Sequence, residues 1–120
     1  MAAQVRALTG AVFAAAVAAG CAPVQVAAVP RGELGAIAIL KELYTLQRGY
    51  RAQYDAYAST TGELRTVGWD DNGVRDFYPW IVHHGRRLCV AALPKRRSLG
   101  TWSIDGRGTI WRGPYCGRPW

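Results

Sequence analysis

Along residues 34–57 one series of positions, apolar or ring-bearing except for Gln47, recurs in steps of four and three: Ala36, Leu40, Leu43, Gln47, Tyr50, Tyr54 and Tyr57. That spacing keeps them on one face of a helix, so the pattern predicts a helix over 34–57. Ile37, Tyr44 and Leu46 widen the apolar surface, while Lys41, Arg48, Arg51 and Asp55 fall largely off it. Glu33 in the first turn suits the positive end of the helix dipole. The face changes from aliphatic to tyrosine along its length. Phenol rings pack an apolar body and lead a hydroxyl to an edge, which places the second half near the domain rim. Ser59–Gly62 should end the helix, and Thr60 and Glu63 have the spacing of a capping box for a short second turn. Asp70, Asp71, Asn72 and Gly73 read as a loop.

Beyond this loop the period changes to two. Residues 77–84 and 87–93 read as strands joined by a tight turn at Gly85-Arg86. Pro79 demotes the first of them to an edge or delays its start. A basic loop follows over 94–100. Residues 101–105 and 109–112 then form a hairpin around Asp105-Gly106-Arg107-Gly108. Trp102 and Ile104 share one strand face, and Thr109 and Trp111 lie opposite Ile110. The expected fold is α+β, one long N-terminal helix packed on a four-stranded antiparallel β-meander.

The N-terminal stretch follows neither pattern. A start with one arginine, Arg6, leads into a small-apolar run over 7–19, too short for the ~20 residues of a membrane span. It ends at Ala18-Ala19-Gly20-Cys21. Basic start, apolar middle and small residues at the end have the shape of an export signal. The last four residues resemble the lipobox of bacterial lipoproteins, although the leucine that family prefers three places before the cysteine is Ala18 here. The resemblance implies lipidation at Cys21 and anchoring in a membrane; the alternative is an ordinary signal peptide cut nearby. Pro23 and Pro30 discourage helix over 22–30. The chain therefore divides into a signal peptide (1–20), a lipidated cysteine and tether (21–31) and a folded domain (32–120). Its expected location is the bacterial envelope, membrane-anchored or periplasmic.

Export changes the meaning of the cysteines. Of three, Cys21 is assigned to lipid, which leaves Cys89 and Cys116 to pair in an oxidising compartment. The alternative is a pair of buried free thiols. No second Cys or His lies at zinc-finger spacing.

Residues 36–58 and 101–111 also carry a family resemblance. The run Leu46-Gln47-Arg48-Gly49-Tyr50, continuing to Tyr54, Tyr57 and Ala58 and followed by Glu63-Leu64, is similar to the soluble half of the helix in type IV pilins and pseudopilins. The segment from Thr101 to Trp111 is similar to the last pilin hairpin. The family's apolar N-terminal half-helix and its fifth-position glutamate have no counterpart around Arg31-Gly32-Glu33. The resemblance therefore implies a pilin-like globular domain that does not polymerise as a pilin does, acting as a scaffold or protein-interaction module on an envelope protein.

The net charge is +7, almost all of it arginine, since Lys41 and Lys95 are the only lysines. Such a balance favours acidic partners, and a GC-rich genome would also enrich arginine. The candidate anion-binding residues are Arg86 and Arg87 on one loop and Lys95, Arg96 and Arg97 on another. Successive turns of a meander fall at opposite ends, so the two clusters need not merge. Brought together beside Trp69 or Trp120, they would suit single-stranded nucleic acid, with phosphates on cations and bases on rings.

Chemistry of other kinds finds little support. His83 and His84 point to opposite faces of a strand and cannot easily chelate one metal. Asp70, Asp71, Asn72 and Asp76 could offer oxygens to calcium, but the EF-hand spacing is missing. Ser98 and Ser103 have no cue to a base, and no phosphate loop leads a strand into a helix. The sequence thus predicts no enzyme, no cofactor and no metal site. Two functions remain: a pilin-like scaffold, or a basic module for DNA or another anionic polymer. A contiguous positive patch beside exposed aromatic rings would favour the second.

Overall fold

A computed structural model describes residues 29–73 and 76–118 of the chain. After a 3-10 turn at Arg31–Glu33 comes helix α1, Leu34–Tyr54, and then the single-turn helix α2, Thr61–Leu64. Two more 3-10 turns, Arg65–Val67 and Asp71–Gly73, lead to four strands: β1 (Phe77–His83), β2 (Cys89–Pro94), β3 (Trp102–Asp105) and β4 (Ile110–Arg112). All neighbours are antiparallel and the order is β1-β2-β3-β4, a plain meander. The α+β expectation is met, with one long helix packed on the sheet.

Strand register sorts the side chains into two faces. Ile81, Val90, Ile104 and Ile110 form one row across the sheet, and Pro79, Ala92, Trp102 and Arg112 the next. Val90, Ala92, Trp102, Ile104 and Ile110 of this face join Phe77 in one core with Ala36, Ile37, Leu40 and Leu43 of α1. Val29, placed by sequence in the tether, is buried in that core as well. Pro79 lies on the edge strand, where its missing N–H costs no ladder bond on the open side.

The helix is shorter than the sequence pattern predicts. It ends at Tyr54 because Asp55 takes a left-handed conformation, φ 60°, and its N–H bonds the Arg51 carbonyl at 2.8 Å. Aspartate tolerates that conformation better than most residues. The chain then doubles back, so Tyr57 is not on the helix face. Gln47 fixes the return: its Nε2 donates to the Ala58 carbonyl at 2.9 Å, and its Oε1 accepts from the Ala58 N–H at 2.8 Å. Glu33 also does something other than face the dipole. Its Oε1 accepts from the Gly100 N–H at 2.9 Å and from the indole N–H of fully buried Trp102 at 2.7 Å, tying the helix start to β3.

The outer sheet face is covered at its centre by the C-terminal tail. Trp80, Ala91, Ser103 and Trp111 form its middle row. Cys116 is bonded to Cys89 of β2, and its N–H donates to Ser103 Oγ at 3.0 Å. Ala91 and Ser103 are fully buried beneath. Gly117 follows with φ 69°, and a Cβ there would stand 2.6 Å from the Trp111 ring, so only glycine fits. Among the described residues, no helix is long and apolar enough to cross a membrane.

Candidate functional site

A meander places its first and third turns at one end of the sheet and its second at the other. The β1–β2 turn carries Arg86 and Arg87, and the β3–β4 turn carries Asp105, Gly106 and Arg107. Between them comes the C-terminal end of α1 with Arg51, the returning Tyr57, and Arg118 of the tail. Together with Leu88 these residues line one open concavity of about 270 Å³. A second, shallower hollow shares Arg51, Tyr57 and Gly106 with it and adds Arg48, Ala52 and Asp55.

Five arginines, from four separate segments, thus face a single space. Arg51 is the best fixed. Its guanidinium lies over the Tyr57 ring, 4.8 Å from the centroid, and donates to the Tyr57 hydroxyl at 3.0 Å. Asp105 is the sole acid among the described residues that line the concavity, and its carboxylate is occupied elsewhere. Oδ1 accepts from the Arg107 and Thr109 N–H groups at 2.9 and 3.0 Å, and Oδ2 accepts from the Trp111 indole at 3.0 Å. Among the described residues, ion pairs form only at Arg65–Asp71 and Arg96–Asp76, both outside this space. The aspartate that would neutralise an arginine here instead builds the hairpin turn. Gly108 closes that turn with φ 81°, against the Tyr44 ring of α1.

The candidates read from the sequence part company. Arg86 and Arg87 line the concavity. Lys95, Arg96 and Arg97 follow β2 at the opposite end, so the two clusters do not merge. Lys95 lies over the Tyr78 ring at 4.8 Å, and Arg96 pairs with Asp76 at 3.5 Å. Cys89 and Cys116 are bonded. Cys21 lies outside the described residues, as do the rest of 1–28, where a signal peptide and tether are expected, and Trp120. Trp69 is buried, with its indole on Asp71, and offers no ring to a ligand. The exposed rings are instead Tyr54 at the end of α1, Tyr78 and Trp80 on the outer face of β1, and Tyr115, which meets Trp80 edge-on at 6.2 Å.

In the acidic loop, Asp71 bonds Arg65 and Trp69, and Asp70 accepts from the Asn72 N–H at 2.9 Å. Arg65 comes first among the causes that hold the Asp71 carboxyl below its usual range. Among the described residues, no three His, Cys, Asp or Glu side chains gather as for a metal ion.

Sequence reasoning missed Arg51, Arg107 and Arg118. Turn parity was the available signal, since it puts Arg107 at the same end as Arg86 and Arg87. Nothing in the pattern placed Arg118, which depends on the tail folding over the sheet. No protein-family model matches the chain, and a search of curated proteins finds no significant match. The arrangement itself can hold an anion in a concave, cationic, partly enclosed space.

Proposed function

We propose that this protein is a non-enzymatic domain of the bacterial envelope that binds an anionic polymer through its arginine concavity. The observation that supports this is the convergence of Arg51, Arg86, Arg87, Arg107 and Arg118 around a space whose one carboxylate is committed to a turn. Guanidinium groups without an acidic partner, one of them oriented by Tyr57, are suited to bidentate anions. The lipoprotein-like start ending at Cys21 supports an envelope location, with lipid as the anchor. Intact mass of the protein from its host's membranes tests that part: a diacylglycerol increment on a chain beginning at Cys21 is expected.

Binding is tested by titrating the protein with labelled polyphosphate, a single-stranded oligonucleotide and an acidic polysaccharide. At least one should bind, and salt should weaken it. Replacing Arg86 and Arg87 together by alanine should cost about ten-fold in affinity or more, as expected for lost charged hydrogen bonds. The double replacement of Arg96 and Arg97, which removes equal charge at the other end, should change it less than about two-fold. Equal losses in the two variants, or no binding to any of the three, would defeat the reading.

A second reading is a pilin-like scaffold. It is supported by the long helix packed on an antiparallel meander, with a tyrosine-rich second half that leaves Tyr54 48% exposed. A photo-cross-linker at position 54 in living cells should then yield one discrete protein adduct that survives the loss of Arg86 and Arg87. No adduct, or its disappearance in that variant, would count against it.

A further inference from the structure

The shape and charge of the concavity narrow the ligand, given that the site binds anions at all. Five guanidinium groups less the Asp105 carboxylate leave a surplus of four positive charges. A singly charged anion would leave most of that surplus unneutralised. The space, about 270 Å³, has room for roughly ten waters. One phosphate would leave much of it wet.

Direction matters as much as charge. The arginines come from the end of α1, from both hairpin turns and from the tail, so they approach from several sides of the bowl. A carboxylate offers its oxygens in one plane, whereas tetrahedral phosphates offer them all round. Tyr57 adds a polar contact, because its oxygen accepts from Arg51 while its own hydrogen remains available to donate.

Arg118 is the one arginine of the five carried by the C-terminal tail; like Arg86, Arg87 and Arg107 it lies outside helix and strand. Two residues before it, Cys116 is bonded to Cys89 and hydrogen-bonded to Ser103, and the Arg118 N–H closes a turn on the Tyr115 carbonyl at 3.0 Å. The disulfide is therefore the covalent tie, beside the Ser103 and Thr101 hydrogen bonds, that holds the segment carrying this arginine against the sheet.

We propose that the concavity takes a condensed phosphate, two or more phosphates joined through shared oxygens, and that Arg118, positioned by the Cys89–Cys116 disulfide, is part of the site. Pyrophosphate is the smallest such ligand.

Calorimetric titration of the oxidised full chain at constant ionic strength tests this. The probes are inorganic phosphate, pyrophosphate, tripolyphosphate, citrate and a short single-stranded oligonucleotide. Pyrophosphate and tripolyphosphate should bind at least about ten-fold more tightly than phosphate or citrate. Arg118→Ala should remove about ten-fold of that affinity, as for one charged hydrogen-bonding partner. Arg97→Ala, at the other end of β2, is the charge-matched control and should leave affinity within about two-fold. Reduction should mimic Arg118→Ala; where reduction unfolds the protein, Arg118→Ala alone decides.

Citrate equal to tripolyphosphate would overturn the condensed-phosphate assignment while leaving anion binding intact. An oligonucleotide that binds more tightly than tripolyphosphate would overturn it in favour of a phosphodiester strand. An unchanged Arg118→Ala would remove Arg118 from the site. No binding to any probe, nor to the polymers above, would end the broader reading too.

Discussion

Gln47 is a fully buried amide in an otherwise apolar helix face, and both of its ends are used on one backbone unit, the N–H and C=O of Ala58. It substitutes for a strand neighbour where the chain reverses after the helix. An apolar side chain of similar size would strand both groups without partners. Gln47→Leu should therefore destabilise the fold by about 2–4 kcal/mol despite its greater hydrophobicity, because each unsatisfied buried group costs about 1–3 kcal/mol. The denaturation midpoint in urea measures it; an unchanged midpoint would mean that Ala58 finds water instead. The residue was visible in the sequence as a polar position on an apolar stripe. Its partner was not, since Ala58 comes within reach only once the chain turns at Asp55.

Elements were legible to the extent that local pattern decides them. The start of α1 at Leu34 and the four strands follow from periodicity, and observed bounds differ from expected ones by a residue or two. The helix end was misplaced because Tyr54 and Tyr57 continue the spacing of the stripe, while a left-handed Asp55, invisible to periodicity, breaks it. The α2 cap matches its motif in part. The Glu63 N–H donates to Thr60 Oγ1 at 3.1 Å, as a capping box requires, but the Glu63 carboxylate takes both the N–H and the hydroxyl of Ser59 at 2.7 Å.

Those Ser59 bonds, the hydroxyl first, hold the Glu63 carboxyl below its ordinary range. A carboxyl depressed in the folded state stabilises the fold above its unfolded pKa, about 4.3. That stabilisation is lost as pH falls through the lower folded value. Stability should decline on acidification below about pH 4, and Glu63→Gln should flatten that decline. Thermal melts of the two proteins from neutral to acid pH make the comparison, and parallel curves would contradict it.

For the molecule as a whole, the disulfide is the largest single tie between distant parts. Its two cysteines are 27 residues apart in sequence. Replacing both by alanine should cost about 3–4 kcal/mol on the chain-entropy account of such a loop, a large share of the roughly 5–15 kcal/mol that holds a domain together. A fall in the urea midpoint of that size is expected; a loss under about 1 kcal/mol would mean that the Ser103 and Thr101 bonds hold the tail unaided. The pairing was readable from cysteine count and from the expectation of export. The site was only half readable, because Arg86-Arg87 stands out as a cluster while Arg51, Arg107 and Arg118 are single residues until topology collects them.

A concavity whose positive charge is carried only by guanidinium groups has no cationic group that gives up its proton. Histidine would fade above neutrality and lysine could be neutralised by burial, but arginine keeps its proton at any pH a cell meets. On the proposed anion-binding reading, a change of pH leaves the arginines as they were, and the protonation of the ligand becomes what alters the fit to them. Release then depends on competing ions, on enzymatic removal of the ligand, or on loosening the tail that carries Arg118.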